Sequence, residues 1–499
     1  MRFSRSTPGL KLKAFAYGVF RGLDTSRDIT AMDRKDSMVM AAMVNCFADR
    51  VGQIVREPAA EFLAGEFPVR LINYLDPGRF VFAEQLAGMV RLASSQQHAQ
   101  DNAFPVNTPL SAAVFSNRVW IVGENAIPWN YDGMLFRQPT GAAIRRDPPA
   151  MVTVVNRRLA VAGMARYRQA VWLSRVDQGE VMPPDEDVNE ENVLRAGDID
   201  ISNMTNSGEV VTGIFAFEFN RLAVFTQNTV LMYVIDPNIE AWTISAQMGA
   251  NVGCISHRSI VQAGRDLLFC SRHGVHSISR SMYNSAGVNA NTYSKNIDVL
   301  YRSLLSKVPR LTDISAVWDD DTSRYHIFFP ENELSSYCLT MALPDGENEE
   351  PRWSLTTHLN PLCGTANGGE VLYGTPGGVY RAFELGQAVV NRAPPVAMAW
   401  STPILWCGST TDIKDGYSYL LQVSGEGVVE IEIFDEEGTL LQTDVIEVEG
   451  NSANLLSVES FAIQYERRME LRFRGLRFTM GCVGTSFVRV TALAIYVRG

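Results

Sequence analysis

The sequence predicts an all-β protein: a β-propeller of six or seven blades with a C-terminal β-sandwich-like domain. Three observations carry that prediction. One hairpin phrase recurs along residues 65–392. Helical spacing is confined to one short stretch, residues 291–311. From residue 393 onward, strands alternate apolar and charged residues without repeating the phrase.

The phrase is a short strand, a tight turn with Asn-Arg, and a second apolar strand. Ala113–Gly123, Val152–Gly163 and Ile214–Thr226 are its clearest copies, turning at Asn117-Arg118, Asn156-Arg157 and Asn220-Arg221. Ser259–Cys270 turns at Gly264-Arg265, Ser315–Phe329 at Asp319-Asp320-Asp321, and Leu362–Gly374 at Asn367-Gly368-Gly369. Arg70–Phe82 is an upstream copy. Asn, Asp and Gly supply the positive φ that a tight hairpin requires. The β-branched and aromatic residues on either side suit a buried pleated strand. Successive copies begin roughly 40 to 60 residues apart, the period of four-stranded propeller blades. Stacked sandwiches with ordinary hairpins are the alternative, but they seldom repeat one hairpin so regularly.

Residues 1–64 form an N-terminal segment expected to pack on the propeller. Within residues 291–311, Ile297, Leu300, Tyr301, Leu304 and Leu305 fall on one helical face, predicting a short helix between blades. Ala393-Pro394-Pro395 then breaks the chain. Val428–Phe434, Arg468–Phe478 and Val488–Val497 alternate as strands of a sandwich do, so residues 393–499 are expected to form the second β domain.

The 499 residues are 46% hydrophobic and 20% charged, enough apolar mass for a large core. The formal net charge of -11 repels duplex DNA and argues against a sequence-reading DNA binder. DNA sliding past such a surface remains compatible with it. The seven cysteines are scattered without paired spacing and read as buried thiols of a reducing compartment. Met1-Arg2-Phe3-Ser4-Arg5 is followed by no apolar signal region, and no apolar run is long enough to span a bilayer. Synthesis in a cytosol without membrane insertion is the expectation.

Chemistry-bearing clusters are few. Cys254-x2-His257, then Cys270-x2-His273 with His276 beyond, has the spacing of a zinc ribbon. The preferred reading places both cysteines in blade strands as small apolar residues, makes the histidines turn-adjacent, and expects no metal and no cofactor. No nucleophile elbow, phosphate-binding loop, dinucleotide glycine motif or zincin helix occurs. A glycosidase needs two facing carboxylates. The acidic residues instead run together, at Asp185-Glu186-Asp187, Glu190-Glu191, Asp319-Asp320-Asp321 and Glu347 with Glu349-Glu350, as solvated loops do. The chain is therefore expected not to be an enzyme. Arg greatly outnumbers Lys, which suits bidentate pairing at protein interfaces or reflects genome composition.

Phe20-Arg21-Gly22-Leu23-Asp24-Thr25, followed by Val44-Asn45-Cys46-Phe47-Ala48-Asp49-Arg50-Val51-Gly52-Gln53-Ile54-Val55-Arg56-Glu57-Pro58, resembles the opening of tail nozzle and tail hub proteins of short-tailed phages. Phe219–Thr226, Gly253-Cys254, Leu268–Val275 and Ala399-Trp400-Ser401-Thr402-Pro403 are similar to later motifs of the same family, in the same order. The resemblance implies a non-enzymatic virion protein, a propeller with accessory β domains. It would form a homo-oligomeric ring, sixfold in the family. That ring sits below a tail adaptor, carries spikes, fibres or a needle, and passes double-stranded DNA without sequence-specific binding. Its location would be the virion tail, assembled in the host cytoplasm. On this reading Asp185, Glu186, Asp187, Glu190, Glu191, Glu347, Glu349 and Glu350 could line the lumen or the tail tip. A propeller-type glycan-binding protein or tail-associated depolymerase is the alternative; the first would favour a signal peptide and exposed loop aromatics, the second one carboxylate pair with a raised pKa.

Overall fold

A computed structural model describes residues 12–26, 38–49, 52–56, 60–185, 193–205, 208–248, 252–279, 292–343, 350–382, 397–425, 427–448, 463–483 and 488–498. Its central body is a β-propeller. Six antiparallel meanders of four strands and one of three strands stand around a common axis. In chain order they begin with the innermost strands Val69–Asp76, Leu110–Phe115, Met151–Val155, Gly213–Phe217, Val261–Ala263, Ser315–Asp319 and Cys363–Asn367. We number these sheets 1 to 7.

Hairpin geometry explains the recurring phrase. In sheet 2 Phe115 pairs with Arg118, leaving Ser116 and Asn117 at the turn, both at positive φ. In sheet 3 Val155 pairs with Arg158, and Asn156 and Arg157 take the same two positions. Two consecutive positive φ values define the turn whose twist matches a right-handed hairpin. The arginine opens the second strand in sheet 2 and closes the turn in sheet 3.

Seven apolar clusters accompany these seven sheets, and each holds a pair of neighbouring meanders together within the ring. Leu71 and Leu75 of sheet 1 meet Leu110 and Val119 of sheet 2. The series runs on through Phe115 with Leu159, Val155 with Ile214, Phe217 with Leu267, and Leu268 with Tyr325. Val317 and Phe328 then meet Val371, and Cys363 and Leu372 meet Val69 and Phe82 to close the circle. Each strand thus buries one side-chain set against the preceding sheet and the other against the next.

Sheet 5 has three strands. Beside it lies the predicted helix, observed as Asp298–Lys307 after a 3-10 turn Lys295–Ile297. Ile297, Tyr301 and Leu304 enter the core between sheets 5 and 6. Tyr301 Oη donates to Ser271 O at 2.7 Å.

The N-terminal segment does more than pack on the propeller. Ala60–Ala64 is the outermost strand of sheet 7, pairing with Gly378–Ala382. The propeller therefore starts before residue 65. Closing the circle with strands from both ends of the repeat leaves no unpaired edge at the joint. Further strands of the same segment belong to the C-terminal β-sandwich. Leu12–Tyr17 pairs with Val488–Arg498, which also meets Ile54–Arg56. Ala42–Val44 joins the outer strand of sheet 6, Arg352–Thr356, to Met398–Ser401. From there one continuous sheet of nine strands runs out through Leu476–Val483 and Gly427–Asp435 to Leu440–Val448. The sandwich core holds Phe20, Trp400, Tyr419 and Phe478. No helix among the described residues is long and apolar enough to cross a membrane.

Candidate functional site: the axial cavity

The inner strands of six sheets, with the segment just before sheet 5, surround a cavity of about 240 Å3 on the propeller axis. Its wall carries small polar side chains at matching places: Asn73 of sheet 1, Ser111 of sheet 2, Thr153 of sheet 3, Ser315 of sheet 6 and Thr365 of sheet 7. His257 and Arg258, from the 3-10 turn His257–Ser259 before sheet 5, complete it.

His257 is held from two sides. Its Nε2 lies 2.9 Å from Ser111 Oγ. The backbone N–H of Ile214 donates to its Nδ1 at 3.4 Å. An N–H aimed at Nδ1 makes that nitrogen the acceptor and assigns the hydrogen to Nε2. The imidazole then donates to Ser111. A catalytic Ser–His pair needs the opposite tautomer, with Nε2 free to accept the hydroxyl proton. Burial also lowers the His257 pKa to about 4, which makes it a weak base at neutral pH. The pair is built for positioning, not for activating a nucleophile.

Arg258 brings a permanent positive charge. Its Nη2 donates to Arg70 O at 2.7 Å. Arg70 lies just behind, with Nε donating to Gln85 Oε1 at 3.0 Å and Nη2 3.9 Å from Glu333 Oε1. Burial lowers the Arg70 pKa, against the pull of Asp313 and Glu333. Burial likewise pushes the nearby Cys363 thiol up to about 11, opposed by Arg258 and Arg70.

The zinc-like residues take separate places. Cys270 lies in the strand Asp266–Ser271, whereas Cys254 lies in the connection before the 3-10 turn and not in a strand. Both are buried, and burial pushes their thiols up to about 11 and about 12. Cys254 Sγ donates to Ser256 O at 3.0 Å. His257 sits in a 3-10 turn, in keeping with the turn-adjacent expectation, but that turn faces the axis. His273 is exposed, in the turn before Gly274. His276 is buried and stacks on Phe269 with ring centroids 5.8 Å apart. Among the described residues no three His, Cys, Asp or Glu side chains converge as metal ligands would.

Of the acidic positions, Asp185 and Glu350 are described; Glu186, Asp187, Glu190, Glu191, Glu347 and Glu349 lie outside the described residues. Asp185 accepts from Ala143 N at 3.0 Å, capping the short helix Ala142–Arg146. Glu350 accepts from Asn296 Nδ2 at 2.7 Å. Asp319 closes its own turn, accepting from Asp321 N at 3.1 Å. The two longer acidic segments connect the third strand to the fourth, in sheets 3 and 6. In an antiparallel meander that connection leaves the same propeller face as the turn between the first and second strands. Both segments therefore start and finish on one face.

No protein-family model matches the chain, and no curated protein does. Solved structures with similar folds include virginiamycin B lyase from Staphylococcus aureus, 11% identical, covering 64% of this chain and 96% of that one at a TM-score of 0.40. YCF48 bound to D1 peptide is 10% identical, covering 66% and 95% at 0.40. The extracellular domain of the putative hybrid two component system BT3049 from B. thetaiotaomicron is 11% identical, covering 89% and 62% at 0.41. Similarity this low says nothing about a shared site.

Proposed function

We propose that this chain is a non-enzymatic structural subunit of a short-tailed phage tail, a nozzle or hub. On this reading it forms a closed ring, sixfold as in the family it resembles. The ring meets a tail adaptor above and spikes, fibres or a needle below.

The observation that carries the reading is where its motifs meet. Phe20 of the opening motif packs on Trp400 of the late motif, with ring centroids 5.7 Å apart. Asn45 donates through Nδ2 to Ala397 O at 2.9 Å, and its Oδ1 accepts from Thr357 N at 2.8 Å. Gly22, at φ +83°, lets the backbone run beside sheet 6; a Cβ there would stand 2.9 Å from Trp353 N. Segments far apart in sequence thus build one seam between propeller and sandwich. A shared seam is a reason for those motifs to occur together and in order. A rigid weld also suits a part that must transmit load between an adaptor and fibres.

The axial cavity supports the non-enzymatic part through the tautomer of His257. It also bears on the DNA path. A duplex cannot pass along an axis whose free space is a small-molecule cavity of about 240 Å3 lined by inner-strand side chains. Any DNA channel must then lie between chains, as a cyclic ring provides.

Sedimentation and electron microscopy of the protein with its adaptor test the reading. A closed ring with an open central channel is expected. A strict monomer within assembled particles overturns it.

A further inference from the structure

We propose that the axial cavity binds a small oxyanion, a carboxylate or phosphate, between Arg258 and the inner-strand hydroxyls. The argument starts from which hydrogens remain to be donated. Ser111 Oγ accepts from His257 Nε2 at 2.9 Å and from Val152 N at 3.3 Å. Its two acceptor positions are thereby taken, and its own O–H is left to donate. Thr153 follows the same rule one sheet on: its Oγ1 accepts from Ala216 N at 3.3 Å. In both cases the backbone of the next sheet fixes the hydroxyl oxygen, and both side chains line the void.

The charge has the same sense. Arg258 is the one cation among the residues lining the cavity, and no carboxylate lines it. One nitrogen of its guanidinium is engaged by Arg70 O. A guanidinium presents several donors in a fixed fork, so others stay available to a second acceptor. Arg70 behind it adds positive potential. A partly desolvated cation with hydroxyl donors around it favours an acceptor-rich, negatively charged guest. A neutral hydrogen-bond donor gains nothing there. The cavity of about 240 Å3 sets the size class as a small molecule.

The test uses the full chain, titrated by calorimetry with inorganic phosphate and separately with acetate. One site per chain is expected, with a dissociation constant of about 1 mM or tighter. Phosphate alone binding assigns the phosphate class; acetate alone assigns the carboxylate class; both binding supports a general oxyanion site. Arg258→Gln is expected to weaken binding at least about tenfold, equivalent to about 1.4 kcal/mol. Because Arg258 also supports Arg70, Arg258→Gln could unfold the bore. Ser111→Ala is therefore run beside it, with a several-fold loss expected. Retained near-ultraviolet circular dichroism marks a variant as folded. Absence of binding by both probes, or native-like affinity in the folded variants, overturns the proposal.

Discussion

Arg158 provides the sharpest test of how the propeller is held together. Its side chain is fully buried. Nη1 donates to Ser174 O and Arg195 O, both at 2.7 Å. Nη2 donates to Pro237 O at 2.6 Å. The guanidinium lies 5.4 Å from the Trp242 ring centroid. One side chain thus ties both ends of the sheet 3 connection 174–196 to the sheet 4 connection 235–242. Arg158→Met keeps the apolar stem and removes the donors. Each carbonyl left unpaired costs about 1–3 kcal/mol. These connections run at the surface, so relaxation readmits some water. The expected net loss is about 3–5 kcal/mol, a large share of the stability of a folded domain. Arg158→Lys recovers little, because one ammonium cannot span acceptors on two sheets. Urea denaturation gives the magnitude. Hydrogen exchange gives the place, with faster exchange expected in 193–205 and 235–242. A loss below about 1 kcal/mol in Arg158→Met, or native stability in Arg158→Lys, refutes the reasoning.

Three further outcomes follow from the same geometry. Arg381 bridges Glu61 of the closing strand and Glu370, which also accepts from Tyr74 Oη of sheet 1; because these pairs are partly exposed, Arg381→Ala should cost about 1–2 kcal/mol, with a double-mutant cycle against Glu61→Ala showing the coupling. Burial lowers the pKa of His257 and His276 to about 4 and of His326 to about 3, from an unfolded value of 6.5. The unfolded chain therefore binds protons first as pH falls, and stability declines between pH 6.5 and about 4, on the order of 3 kcal/mol per histidine; urea midpoints across that window measure it, and His326→Gln should flatten the slope. All seven cysteines are buried, so a thiol reagent should leave the native chain unmodified at neutral pH and label seven sites after unfolding.

The hairpins were readable because both of their signals are local. Turn residues such as Asn117 and Asn156 need positive φ, and the strands beside them alternate with period two. The helix was readable for the same reason, since Ile297, Tyr301 and Leu304 recur at helical spacing. The closing strand was not. Ala60–Ala64 carries no turn signal, and its partner Gly378–Ala382 lies at the other end of the repeat. The sharing of N-terminal strands with the sandwich is equally non-local: Val44 and Leu355 pair across most of the chain. The axial site was missed because Ser111, Thr153 and Ser315 look like ordinary strand residues. Their one trace is a small polar residue recurring on the first strand of several blades. His257 and Arg258 were read as a turn, which is correct locally, but only ring closure turns that 3-10 segment toward the axis.

The acidic segments remain the proposed contribution to a DNA channel, and the structure changes how they should be tested. With the propeller bore closed to a duplex, a passage must be walled by outer surfaces of several chains. Each chain brings a net charge of -11, and like charge at the wall keeps a hydrated gap around DNA. Asp185 and Glu350 are poor targets for charge reversal, since each already accepts a structural hydrogen bond. Replacing them would mix a folding defect with a charge effect. The clean variants convert Glu186, Asp187, Glu190 and Glu191 to Lys in one chain, and Glu347 and Glu349 in another. If the first set faces the lumen, four new phosphate contacts give a salt slope near -3.6, so affinity changes about a hundredfold over a fourfold change in salt. Genome ejection from assembled particles should slow at low salt and recover at high salt. A slowing that ignores salt points to damaged assembly instead. Native ejection kinetics in both variants, with the substitutions verified in the particle, remove these segments from the channel wall.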